Sequence, residues 1–207
     1  MVIAFLPVFN HQPLVLEDVF YKWNNSDSIR ISGFKFYVSG IGLAQDGRLQ
    51  FSEANSFHLI DAATPSSSFV HLEIPEGVVY NQLIFFIGID SITNTSGAKG
   101  GDLDPTNGMY WTWQSGYINV KVEGQSNLCK TRRNEFDFHF GGYAAPFPTI
   151  RKKVLDVLQS DSLCLEADLS KFIGGIELAT QQSIMSPGKE AVALSELFIK
   201  TFAIKPK

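Results

Sequence analysis

A chain of 207 residues, 44% apolar and 18% charged, has the composition of one compact globular domain and excludes a disordered acidic tail or a collagen-like repeat. The net charge of -4 and the brevity of the basic runs around Lys130, Arg132 and Arg133 and around Arg151, Lys152 and Lys153 exclude a nucleic-acid backbone as partner. No apolar run is long enough to span a bilayer.

Strand signals dominate in chain order. The opening MVIAFLPVFNH lacks a basic start and a small-residue cleavage site, so residues 2–9 read as a first strand; an exported form would have lost its leader ahead of it. Residues 29–43 alternate, with Phe34, Phe36 and Val38 on one face and Lys35, Tyr37 and Ser39 on the other. Residues 49–51 and 56–60 read as a hairpin pair, with Asp46-Gly47 turning the chain before the first. Residues 69–74 alternate until Pro75-Glu76-Gly77, and the apolar run 82–90 reads as a central strand buried on both faces. Residues 117–123 set Ile118, Val120 and Val122 against Asn119, Lys121 and Glu123, and residues 135–140 set three phenylalanines against Asp137 and His139. Residues 151–158 and 163–169 complete a set of roughly ten.

Helix is sparse. Ser186 as cap, Pro187 in the first turn and early Glu190 mark a helix over 188–202, with Lys200 suited to its C-terminal dipole. A short irregular or helical turn is expected within 14–23, and another within 169–172. These elements describe an all-β, single-domain antiparallel β-sandwich spanning 1–207, with one C-terminal helix. Cys129 and Cys164 allow either one disulfide or two quiet thiols.

The stretch 100–124, GGDLDPTNGMYWTWQSGYINVKVEG, carries the chemistry. Tyr110, Trp111, Trp113 and Tyr117 crowd beside Asp102, Asp104 and Asn107 in a region rich in glycine. Bulky aromatics and turn chemistry pull in different directions, so the combination marks a site. It closes a connection over 91–109 of about nineteen residues, longer than loops without a role usually are. Asp90, Asp102 and Asp104 offer oxygen donors of the kind Ca2+ takes, but no glycine-positioned twelve-residue loop with a terminal Glu accompanies them, and Asx-turns account for them better. Enzyme signatures are missing: there is no nucleophile elbow, phosphate-cradling loop, Cys-x-x-Cys or helix-borne His pair.

The assembled residues resemble the MbnP-like family, exported bacterial proteins named for a copper-binding protein encoded beside methanobactin genes. The resemblance rests on Phe9-Asn10-His11, Phe36-Tyr37-Val38-Ser39, Gly88-Ile89-Asp90, Gly101-Asp102-Leu103-Asp104-Pro105, Gly108 through Trp113, Ser115-Gly116-Tyr117, Phe138 through Gly142 and Met185 through Gly188. It implies a periplasmic or cell-surface protein, with a lipid anchor as one route to the outer membrane. It also implies a copper site of two histidines and a tryptophan that a di-haem, MbnH-like peroxidase partner oxidises to kynurenine. His11 and His139 are the matched imidazoles. Trp111 and Trp113 are the candidate tryptophans, Trp111 preferred because Met109 and Tyr110 flank it. Such a protein sequesters or delivers metal and is not an enzyme; imidazole suits copper. A different class stays open: a surface binding module that stacks glycan or protein on exposed Trp111, Trp113 and Tyr117. His58 and His71 read as ordinary strand histidines.

Overall fold

The structure, a computed structural model, describes residues 1–24, 26–114 and 116–205. Ser115, inside the aromatic motif, lies outside the described residues. The strands in chain order are β1 Val2–Phe9, β2 Gln12–Pro13, β3 Tyr21–Trp23, β4 Asp27–Gln45, β5 Arg48–Ser52, β6 Phe57–Asp61, β7 Phe69–His71 and β8 Gln82–Ile87. They continue with β9 Tyr110–Trp111, β10 Gly116–Ser126, β11 Glu135–Gly141, β12 Arg151–Asp156, β13 Ser162–Asp168, β14 Ser183–Ile184 and β15 Phe202–Ile204. Helices are α1 Ser91–Thr95, α2 Leu169–Ile173 and α3 Lys189–Phe198.

Two sheets form the sandwich. The smaller runs β15-β13-β1-β2, with β7 also on β1; the larger runs β12-β8-β4-β10-β11-β14, with β3, β5 and β6 on β4 and β9 on β10. Alternation along each strand turns Phe5 of the small sheet and Phe34, Phe36, Phe85, Phe136, Phe138 and Phe140 of the large one into a shared core. Phe198 of α3 sits among Phe34, Phe36, Phe140, Phe172 and Phe202, with ring centroids 5.4–6.1 Å apart and mostly edge-on, so the late helix closes the sandwich through aromatic contacts.

The sandwich and its late helix match the expectation, with local corrections. The first strand pairs parallel with β13, because they come from opposite ends of the chain and need no hairpin. The segments around residues 49–51 and 56–60 do not pair with each other. The nineteen-residue β4 shifts register between Ser39 and Gly42, and its two halves take β6 and β5 separately. The Asp46-Gly47 turn is as expected, both residues left-handed at φ 49° and 79° between paired Gln45 and Arg48. Strand β8 alternates buried and half-buried positions instead of being buried on both faces. The stretch 14–23 is irregular over residues 14–20, one of the two expected forms, and ends in β3 without a helical turn. Helix α3 begins at Lys189 with Gly188 at its cap and no side-chain capping bond, so Ser186 and Pro187 lie ahead of it. The chain from Phe202 leaves helix to join the small sheet. Both cysteines are free, Cys129 buried and Cys164 exposed.

The long connection is not structureless. It holds α1 and two 3-10 turns, Gly101–Leu103 and Pro105–Asn107, and it roofs the outer face of the large sheet. Under that roof Tyr37, Ile89, Leu103, Met109, Trp111, Tyr117 and Ile118 form a second small core, separate from the one between the sheets.

Candidate metal centre

The second core is tied down by hydrogen bonds to the loop backbone. The Tyr37 hydroxyl donates to the Asp102 carbonyl at 3.0 Å, and Tyr117 Oη donates to the Leu103 carbonyl at 3.1 Å while accepting from the Lys99 amide. Burial above all, then the neighbouring Tyr117 phenol and the Asp102 and Asp104 carboxylates, pushes the Tyr37 phenol far up, so it stays a donor at any physiological pH. Trp111 is buried here and Trp113 stands 64% exposed, their ring centroids 5.7 Å apart and the planes tilted by 43°. The two indoles therefore do not make a coplanar exposed platform. Tyr110 packs edge-on against Tyr117 at 5.0 Å.

Trp111 lies close to β11. A Cβ on Gly141 would overlap the Tyr117 carbonyl oxygen and stand 3.1 Å from Cζ3 of its indole, so the close backbone approach of β10 requires the glycine and the ring rests against it. Gly141 and His139 are two apart on β11 and share its outer side, as does Asp137, while Phe136, Phe138 and Phe140 enter the core. Across the ladder, Lys121 pairs with His139 and Glu123 with Asp137. His139, only 7% exposed, meets Glu123 diagonally, Nε2 to Oε1 at 2.8 Å, and Lys121 Nζ reaches the same oxygen at 3.1 Å. Gly33 makes room on the other flank: a Cβ there would fall 2.7 Å from Glu123 Oε2.

Glu123, Asp137 and His139 bring one donor atom each within 4.8 Å of one another, the group of ligand-type side chains found among the described residues. The hydrogen bond from His139, assisted by Lys121 and opposed by burial, draws the Glu123 carboxyl down to about 2. Burial pushes the Asp137 carboxyl up. Two carboxylates directly opposite on neighbouring strands repel, and a cation between them relieves the repulsion. The donor set fits a copper ion in kind. One imidazole and two carboxylates suit borderline divalent metals.

His11 is elsewhere. With Asn10 it forms the left-handed two-residue turn between β1 and β2, at φ 49° and 62°. Its Nδ1 lies 2.5 Å from the buried Glu166 carboxylate and its Nε2 3.8 Å from Asp168. Those acids belong to β13 of the small sheet, whereas His139 faces away from the core on the large one. Packed sheets stand about 10 Å apart, so one ion does not reach both imidazoles, and the expected convergence of His11 and His139 on one indole is not met. His58 bonds Glu53 at 2.8 Å. Asp90 caps α1 by accepting from the Thr93 amide and hydroxyl, Asp104 does the same for Thr106, and Asp102 Oδ2 accepts the Leu59 amide. These three carboxylates thus hold loop backbone in place.

Glu123, Asp137 and Lys121 were missing from the sequence-based site. The alternation placed Asp137 beside His139, but the partners on β10 depend on register, and an eight-residue connection (127–134) between the strands does not determine it.

Fold and site together define a β-sandwich protein that carries a candidate metal centre on the outer face of its larger sheet. A family model described as MbnP matches residues 1–186, and the chain belongs to the MbnP family. That family is extracytoplasmic in general. Among solved structures the chain is similar to MbnP from Methylosinus trichosporium, at a TM-score of 0.64 and 16% identity, over 84% of this chain and 76% of that one. At that identity the likeness is one of fold. No curated protein matches the sequence. Among the described residues no helix is long and apolar enough to cross a membrane.

Proposed function

We propose that this is an extracytoplasmic copper-binding protein that sequesters or delivers the ion without turnover, at a centre formed by His139, Glu123 and Asp137. The observation that carries the reading is the juxtaposition on one sheet face of a buried imidazole, two opposed carboxylates and an indole seated against Gly141. Family membership supports the rest: Trp111 is the tryptophan that a di-haem, MbnH-like partner converts to kynurenine, and the ring-opened amine and ketone add donors that indole lacks. Trp113, exposed beside it, is the side from which such a partner approaches. In this reading His11 belongs to the β1–β2 turn and not to the ion.

Metal analysis and intact mass of protein from its native host test the proposal. Copper at one equivalent with a kynurenine mass shift at Trp111 is expected. His139→Gln is expected to lose the metal and His11→Gln to keep it. A copper-free, unmodified protein from a host that expresses a di-haem partner would overturn it.

A further inference from the structure

We propose that Lys121 is the resident cation of the Glu123–Asp137–His139 seat, and that a divalent ion enters by displacing its ammonium group, so that Lys121 sets the affinity of the site. The inference rests on the reading of this cluster as a metal centre. Glu123 Oε1 is the shared point: His139 Nε2 lies 2.8 Å from it and Lys121 Nζ 3.1 Å. A metal bound by that oxygen takes the place of the proton between Glu123 and His139 and of the ammonium beside it.

Lys121 is held in this position from both sides. In the ladder it stands opposite Lys35 on β4 as well as His139 on β11. Like charges directly opposite repel, and Lys35 turns away to Asp61 at 2.9 Å and to the Asn107 carbonyl at 3.3 Å. Lys121 turns the other way, to Glu123. Its ammonium answers the negative charge of the Glu123–Asp137 pair in the metal-free protein. A dication at the same donors repels the ammonium at short range, where solvent screening is incomplete. The lysine side chain is 21% exposed, and its flexible stem lets the charged end move to water without disturbing the strand. Nitrogen and oxygen donors select a borderline divalent ion such as Cu(II) or Zn(II), and not the soft cuprous ion, which prefers sulfur.

The test is a competition titration of the intact protein with Cu(II) and with Zn(II) against a chromophoric chelator, paired with thermal melts. Lys121→Met and Lys121→Gln are expected to bind about tenfold tighter than the wild type, the scale of one partly screened ion pair, and Lys121→Arg to bind like the wild type. Without metal the two neutral variants are expected to melt lower than the wild type, and to gain more on metal addition. Wild-type binding that is unchanged or weakened in both neutral variants overturns the role of Lys121 and leaves the metal centre standing. Failure of the wild type and of both variants to bind either ion overturns the centre and this inference together.

Discussion

At the scale of residues, the outer face of the large sheet is governed by one carboxylate with several partners. Glu123 is held down to about 2 by His139 and Lys121, against an ordinary 4.5. A carboxyl lowered on folding stabilises the protein above its unfolded pKa and loses that contribution as pH falls toward the folded value. Its share is therefore present above about pH 4.5 and disappears toward pH 2. Asp137 has the opposite sign, since burial raises it above its ordinary 3.8. Its preference for the protonated form favours folding below that value, and the contribution is lost as pH rises through the raised one. Urea unfolding at about pH 6 and about pH 3 separates the two. Glu123→Gln is expected to lower stability at the higher pH and to flatten the acid limb. Asp137→Asn is expected to raise stability at the higher pH, in the absence of metal.

At the scale of elements, two glycines in adjacent strands serve different ends. Gly33 on β4 admits the far end of a flexible side chain, the Glu123 carboxylate. Gly33→Ala is expected to lower stability by about 1 kcal/mol at about pH 6, because moving that carboxylate aside weakens its bonds to His139 and Lys121, and to weaken binding at the proposed metal centre. Gly124 on β10 stands where the register against β4 shifts, and a Cβ there would meet the Arg30 carbonyl at 2.3 Å and the Phe136 ring at 2.5 Å. Backbone does not move aside so cheaply. Gly124→Ala is expected to cost about 2 kcal/mol or more in denaturant unfolding. The alternation of β10 and β11 was legible from their residues, as was the Asp46-Gly47 turn. The pairing of β4 with both β5 and β6 was not, because local patterning says nothing about which distant segment fills a sheet edge.

At the scale of the whole molecule, α3 joins the layers through Phe198, which touches aromatics from both sheets and from α2. Phe198→Ala is expected to cost about 3–5 kcal/mol in equilibrium unfolding, since rigid neighbouring rings collapse poorly into the space left. The proposed metal centre, on the far side of the large sheet from this contact, is expected to keep its affinity under native conditions.

The one-dimensional pattern was enough to establish a β-sandwich with a late helix, an aromatic cluster around Trp111 at the end of a long loop and an outward-facing His139, because period, turn chemistry and aromatic crowding are local properties of the chain. Only the tertiary structure separated His11 from His139 and brought Glu123 and Lys121 to the imidazole. Strand register and sheet membership arise from packing between segments far apart in sequence, and they decide which polar side chains share a face.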